Sequence, residues 1–131
     1  GRSRGQRLLV ACLPGEHHEL GILLFCLPAL AHGYRLLYLG ADLPLQQVKR
    51  VTETTGVAGV LLSGSGLELS PGLHSELEAL AQELRVPLMV GGEVSLQLQN
   101  RGKGGEMVSL GMDYKAALQR LEESVPAYAG R

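Results

Sequence analysis

Arg7-Leu8-Leu9-Val10-Ala11-Cys12-Leu13-Pro14-Gly15-Glu16-His17-His18-Glu19-Leu20-Gly21 is the stretch that decides the fold. Residues 8–13 are apolar without interruption, the length of one strand buried on both faces of a sheet. Pro14-Gly15 breaks the extended run, and an apolar segment of helical length then leads from Glu19 to the stop at His32-Gly33. A buried strand that turns through a short polar loop into a helix is the first half of a βαβ unit. Whatever that loop carries is held at the carboxyl end of a parallel strand.

The rest of the chain repeats the alternation. Besides the first strand at 7–13 and the first helix at 19–32, strands are predicted at 35–39, 59–63, 86–90 and 107–110, and helices at 44–55, 71–84, 94–100 and 113–124. Leu73, Leu77, Leu80 and Leu84, spaced by three and four, turn one face of the third helix to the sheet. Asp42 and Asp113 stand where N-caps are expected, and Pro28 removes a backbone donor late in the first helix. The glycine-rich run 100–105 reads as a loop. Such alternation with short connections predicts an α/β fold and suits a flavodoxin-like (Rossmann-like) doubly wound sheet of five parallel strands, whose order 2-1-3-4-5 is an expectation of that fold class and not of periodicity. In that order the loops after strands one and three flank the reversal of the topology, where open α/β sheets bind their ligands. One of those loops carries Glu16, His17 and His18, the other Ser63-Gly64-Ser65.

At 131 residues the chain is the size of one domain, read as 7–125 between short tails at 1–6 and 126–131. A 45% apolar and 19% charged composition is that of a globular protein. A net charge of −1 gives no general attraction for nucleic acid or acidic membranes, and Arg2, Arg4 and Arg7 are the one basic cluster. The apolar run 21–30 is too short to span a bilayer and contains Pro28. Cys12 and Cys26 fall in a strand and a helix and read as buried small hydrophobes, so a reduced, cytoplasmic setting is expected. The opening Gly1-Arg2-Ser3-Arg4 has neither a signal core nor a Met, which suggests a segment of a longer protein.

Taken alone, His18 would more often be an exposed loop histidine than a metal ligand. A neutral imidazole does, however, bind transition metals best when a carboxylate holds its other N–H, and Glu16 stands two residues away. Glu19 reads as a first-turn acid favoured by the helix dipole, and His32 and His74 as structural or solvated residues. Zinc fails on count, since there is no Cys pair at zinc spacing and no second His four residues from His18.

Three motifs fall in order along the chain. Glu16-x-His18-x-x-Gly21 is followed after forty-one residues by Ser63-Gly64-Ser65, and after twenty-five more by Gly91-Gly92. This series, spread over 7–125, resembles that of cobalamin (B12)-binding domains. The resemblance implies that His18 is the lower axial ligand of cobalt, with the cofactor's dimethylbenzimidazole displaced and Glu16 orienting the imidazole. It implies that His17 faces solvent or the corrin edge, and that Gly21, Ser63, Ser65, Leu67, Gly91 and Gly92 line a slot for the displaced nucleotide tail. A larger side chain at Gly21 or Gly92 would then occupy the tail's volume. Adenosylcobalamin and methylcobalamin both fit, and the upper ligand is undetermined.

Within that family, Glu16 in place of the aspartate common in methyl-transferring members, together with the stretch 33–44, is similar to light-dependent MerR-family transcription regulators. That likeness implies a non-enzymatic sensor domain of a light-responsive regulator, with DNA bound through a missing upstream domain and a homo-oligomer left open. The alternative is a corrinoid methyl-carrier or a B12-dependent mutase domain. A cofactor-free response module would need paired acids at the end of strand one, where Leu13-Pro14-Gly15 precede Glu16 alone.

Overall fold

A computed structural model describes residues 4–66, 68–98 and 107–128. Period-two side-chain alternation organises it. In β1 (Arg7–Cys12) Leu8, Val10 and Cys12 enter one core, while Leu9 and Ala11, with Leu13 beyond the strand, enter the other. Its neighbours divide likewise: Leu61 of β3 (Gly59–Ser63) and Met89 of β4 (Leu88–Gly91) join the first core, Val60, Leu62, Leu88 and Val90 the second. With β2 (Arg35–Gly40) and β5 (Met107–Gly111) they form a five-stranded parallel sheet in the order β2-β1-β3-β4-β5, the order expected of the doubly wound fold class.

Helices cover both faces. α1 (Leu20–Ala31) and α4 (Tyr114–Ser124) bury Ile22, Phe25, Ala29, Ala117 and Leu121 in the first core. α2 (Leu45–Thr55) and α3 (Pro71–Glu83) bury Leu45, Val48, Leu77 and Leu80 in the second, and Leu73 and Leu84 pack there as the spacing requires. Each Leu, Ile, Val or Phe among these contributes about 1.5–3 kcal/mol when fully buried. A 3-10 turn, Glu93–Gln97, stands where the short helix is predicted.

Among the described residues α3 and α4 start on a side-chain cap, and α1 and α2 do not. Ser70 and Asp113 cap α3 and α4 by accepting from Leu73 N and Ala116 N, each at 3.1 Å. Asp42 does not cap α2, whose N-cap is Pro44 with no side-chain bond. Asp42 instead sits in the left-handed region (φ +50°), where its Oδ1 accepts from Gly15 N at 2.7 Å and its own N–H donates to Glu16 O at 2.9 Å. The loop after β2 thus clamps the loop after β1. β4 starts at Leu88 because Pro87 has no N–H to give the ladder, although its carbonyl still accepts from Val60 N.

At the opposite end of the sheet Gly5 bridges Tyr128 antiparallel, Gln6 N donates to Ala127 O at 2.6 Å, and Ala127 is buried. The glycine-rich run 100–105 lies outside the described residues. Among the described residues, no helix is long and apolar enough to cross a membrane.

Candidate functional site

β1 ends at Cys12, and the chain needs seven residues to reach α1, so the connecting loop stands above the carboxyl edge of the sheet. Glu16, the centre of that loop, points inward with 2% of its surface exposed. A buried carboxylate must be paired or hydrogen-bonded. Its Oε2 accepts from the His18 backbone N–H at 3.0 Å and lies 3.0 Å from His18 Nδ1, and its Oε1 accepts from the backbone N–H of Ser65 across the reversal point of the sheet. Burial opposes ionisation of Glu16. The Ser65 and His18 N–H groups and the His18 imidazole outweigh it and hold the carboxyl below its ordinary value. With an ionised acceptor at Nδ1, that nitrogen carries the proton and Nε2 keeps its lone pair. The imidazole itself is 82% exposed, so Nε2 is free to take an external partner.

Beside the imidazole a cavity of about 140 Å³ opens between α1, α4 and the carboxyl ends of β3, β4 and β5. His18, Gly21, Ser63, Ser65, Gly91 and Gly92 all line it, so six residues picked from three distant motifs meet at one place. Register explains part of this, because Cys12 pairs Ser63 and Ser63 pairs Gly91, which puts the last residues of three adjacent strands in one row. Small residues at that row leave the space open. Glu16 lies behind His18 rather than on the wall. His17 does not reach the cavity; it is exposed, with Nε2 4.0 Å from Asp42 Oδ2. Leu67 lies outside the described residues.

The two glycines of Gly91-Gly92 differ in what they require. A Cβ on Gly91 would make ordinary contacts with Leu61 and Leu110 at 3.8–4.0 Å. On Gly92 it would stand 2.5 Å from Gly64 O, at a backbone with φ +84° and ψ −174° that belongs to glycine. Gly92 is therefore needed by the turn itself, in addition to its place in the cavity lining. Gly21 is the open position, with only the Tyr114 hydroxyl at 4.0 Å.

Motif reading missed Ile22, Phe25, Leu110, Met112 and Tyr114 of the lining. Ile22 and Phe25 carry the helical signal of core residues, and no local pattern separates a residue that faces a slot from one that faces the sheet. Glu19, expected in the first turn, is the N-cap residue of α1, and its carboxylate accepts from the Tyr38 hydroxyl. Next to them the buried Cys12 thiol is pushed up to about 11 by burial and by the Glu19 and Glu16 carboxylates. His32 pairs Glu122 at 3.0 Å and His74 pairs Glu78 at 3.4 Å, which are structural roles.

Among the described residues no group of three or more His, Cys, Asp or Glu side chains is placed to hold a metal ion. A metal taken by His18 must therefore bring most of its coordination with it.

No protein-family model matches the chain, and no curated protein sequence does. Solved structures do. The methanol:cobalamin methyltransferase complex MtaBC from Methanosarcina barkeri matches at TM-score 0.69 and 16% identity over 89% of this chain and 45% of its own. The monomethylamine corrinoid protein of the same organism matches at 0.62 and 22% over 90% and 57%. The lysine decarboxylase LdcF of Francisella novicida matches at 0.58 and 12% over 95% and 18%. The chain thus spans about half the length, or less, of the solved chains it resembles, and at these identities the likeness is one of fold.

Proposed function

We propose that this chain is a cobalamin-binding domain that takes cobalt on His18 Nε2, with the cofactor's own base displaced. The observation that carries this reading is the convergence of His18, held by the buried Glu16 carboxylate, with a cavity floored by Ser63, Gly91 and Gly92. The residues fit the group. A corrin would bring its own nitrogen ligands to cobalt, so the protein would need to offer one further donor, and the exposed His18 imidazole would be that donor. Gly21, Ser63, Ser65, Gly91 and Gly92 are the residues that would receive the nucleotide tail. When bound, the cofactor supplies a cobalt–carbon bond that can hand on a methyl group or be broken by light. The chain's own part is to hold Nδ1 protonated through Glu16, to present Nε2, and to keep the slot narrow.

Two uses of such a domain remain distinct. Structural neighbours named a methanol:cobalamin methyltransferase complex and a corrinoid protein favour a carrier in a methyl-transfer system, in which the domain binds and a partner catalyses. The second reading, sensor of a light-dependent MerR-family regulator that reaches DNA through another domain and acts in an assembly of copies, rests on Glu16 and on 33–44. Part of that segment touches the site, since Asp42 holds Gly15 and Leu43 N donates to Cys12 O at 3.2 Å. Absorption spectra of the chain mixed with hydroxo-, methyl- and adenosylcobalamin test the binding reading. Histidine coordination should appear in the parent and be lost in His18→Ala, and identical spectra for both proteins would refute it. Illumination of the adenosyl form with its oligomeric state followed, against methyl transfer to an added acceptor system, separates the two uses.

A further inference from the structure

The cavity beside His18 is smaller than the tail assigned to it. At about 140 Å³ it has the volume that takes a single benzene-sized ring, for which about 150 Å³ suffices. A benzimidazole carrying ribose and phosphate is several times that size. Since β3 and β4 are paired on both sides and buried on both faces, the wall that can yield is the pair of helices α1 and α4.

Tyr114 joins those helices at the mouth. Tyr114, the first residue of α4, donates its hydroxyl to the Gly21 carbonyl oxygen in the first turn of α1 at 3.0 Å, and its ring packs on Phe25 with centroids 6.1 Å apart at 52°. Gly21, Phe25 and Tyr114 all line the cavity, so the bridge crosses the slot itself. The Tyr114 side chain is half-exposed, and its hydroxyl can exchange this acceptor for water. That makes the bond reversible at small cost, as a latch requires.

We propose that Tyr114 latches the slot: its hydroxyl bond to Gly21 O holds α4 against α1 in the ligand-free chain and must break before a nucleotide tail can pass between them. The proposal rests on the cobalamin reading and adds to it a residue that controls the rate of uptake. Tyr114 acts on the tail, whereas His18 acts on cobalt, so a corrinoid without a tail should not feel it.

The test compares the parent with Tyr114→Phe, which keeps the ring on Phe25 and removes only the hydroxyl. In the ligand-free chain, amide hydrogen exchange over 20–25 and 112–117 should quicken by about 2- to 10-fold, the worth of one net hydrogen bond. Stopped-flow absorbance under second-order conditions should show hydroxocobalamin taken up faster by a similar factor, and aquacobinamide, which lacks the nucleotide, taken up at the parent's rate. Unchanged exchange overturns the latch without any reference to a cofactor. Quickened exchange with cobalamin uptake unchanged, or with both corrinoids accelerated equally, overturns its role in tail passage. Failure of the parent to bind either corrinoid refutes the cobalamin reading instead, and the exchange result still decides whether the helices are latched.

Discussion

Gly21 and Gly92 belong to the same motif series, yet the structure predicts opposite consequences for the same substitution. In Gly92→Ala the new Cβ would lie 2.5 Å from Gly64 O at φ +84°, ψ −174°. Backbone strain in that region costs about 1–3 kcal/mol, and relieving the contact means shifting the loop that also binds Glu16, so a loss of roughly 2–4 kcal/mol is expected. For a domain of this size that lowers Tm by roughly 10 °C. In Gly21→Ala the Cβ meets nothing closer than the Tyr114 hydroxyl at 4.0 Å, and alanine suits the first turn of a helix better, so stability should rise by about 0.5 kcal/mol and Tm by roughly 2 °C. The added methyl nevertheless projects into the slot, where overpacking costs ~1–3 kcal/mol, or about 5- to 150-fold in affinity for a ligand that fills it. Calorimetric melting of both variants without ligand, followed by titration with hydroxocobalamin monitored by absorbance, reads both effects. Gly92→Ala melting with the parent would refute the backbone account of that turn, and Gly21→Ala binding as tightly as the parent would mean that the tail does not run past α1.

Three further outcomes are expected. Glu16→Gln removes the ionised acceptor of His18 Nδ1 and Ser65 N, and should weaken cobalamin binding by about 10- to 100-fold, the usual penalty for losing the partner of a metal-binding histidine; an unchanged titration would show that the carboxylate does not orient the imidazole. Asp42→Ala keeps the positive φ but loses the acceptor for Gly15 N, so it should lower the free energy of unfolding in urea by about 1–2 kcal/mol, and a variant as stable as the parent would contradict the clamp. The Cys12 thiol, raised to about 11 against 9.0, is neutral in the folded chain at pH 8 and should resist Ellman's reagent until the protein unfolds. Its raised value adds stability that is fully present below pH 9 and is lost as the pH climbs through about 11, a slope that Cys12→Ala should remove from the alkaline unfolding curve.

The order 2-1-3-4-5, which sets the loops of His18 and Ser63–Ser65 face to face, is an expectation of the fold class, whereas the alternation of strands and helices and the parallel pairing are legible in the chain itself. These follow from local rules: burial on both faces makes an unbroken apolar run, one-sided burial makes a three-four spacing, and short connections between parallel strands leave few topologies. Caps were legible where the side chain bonds its own helix, as at Asp113. At Asp42 the same residue type serves a neighbouring loop, and nothing local tells the two apart.

The remaining features depend on partners distant in the chain. Glu16 and Ser65 are 49 residues apart and Tyr114 and Gly21 are 93, and each pair meets because two separate loops or helices fix backbone positions to within a hydrogen bond. Gly91 and Gly92 are identical letters, and their different requirements come from register: Gly91 still belongs to a strand, while Gly92 turns its missing side chain toward the Gly64 carbonyl. Periodicity records which side of an element is buried. It does not record what lies opposite, and both the carboxylate behind His18 and the tyrosine across the slot are set by what lies opposite.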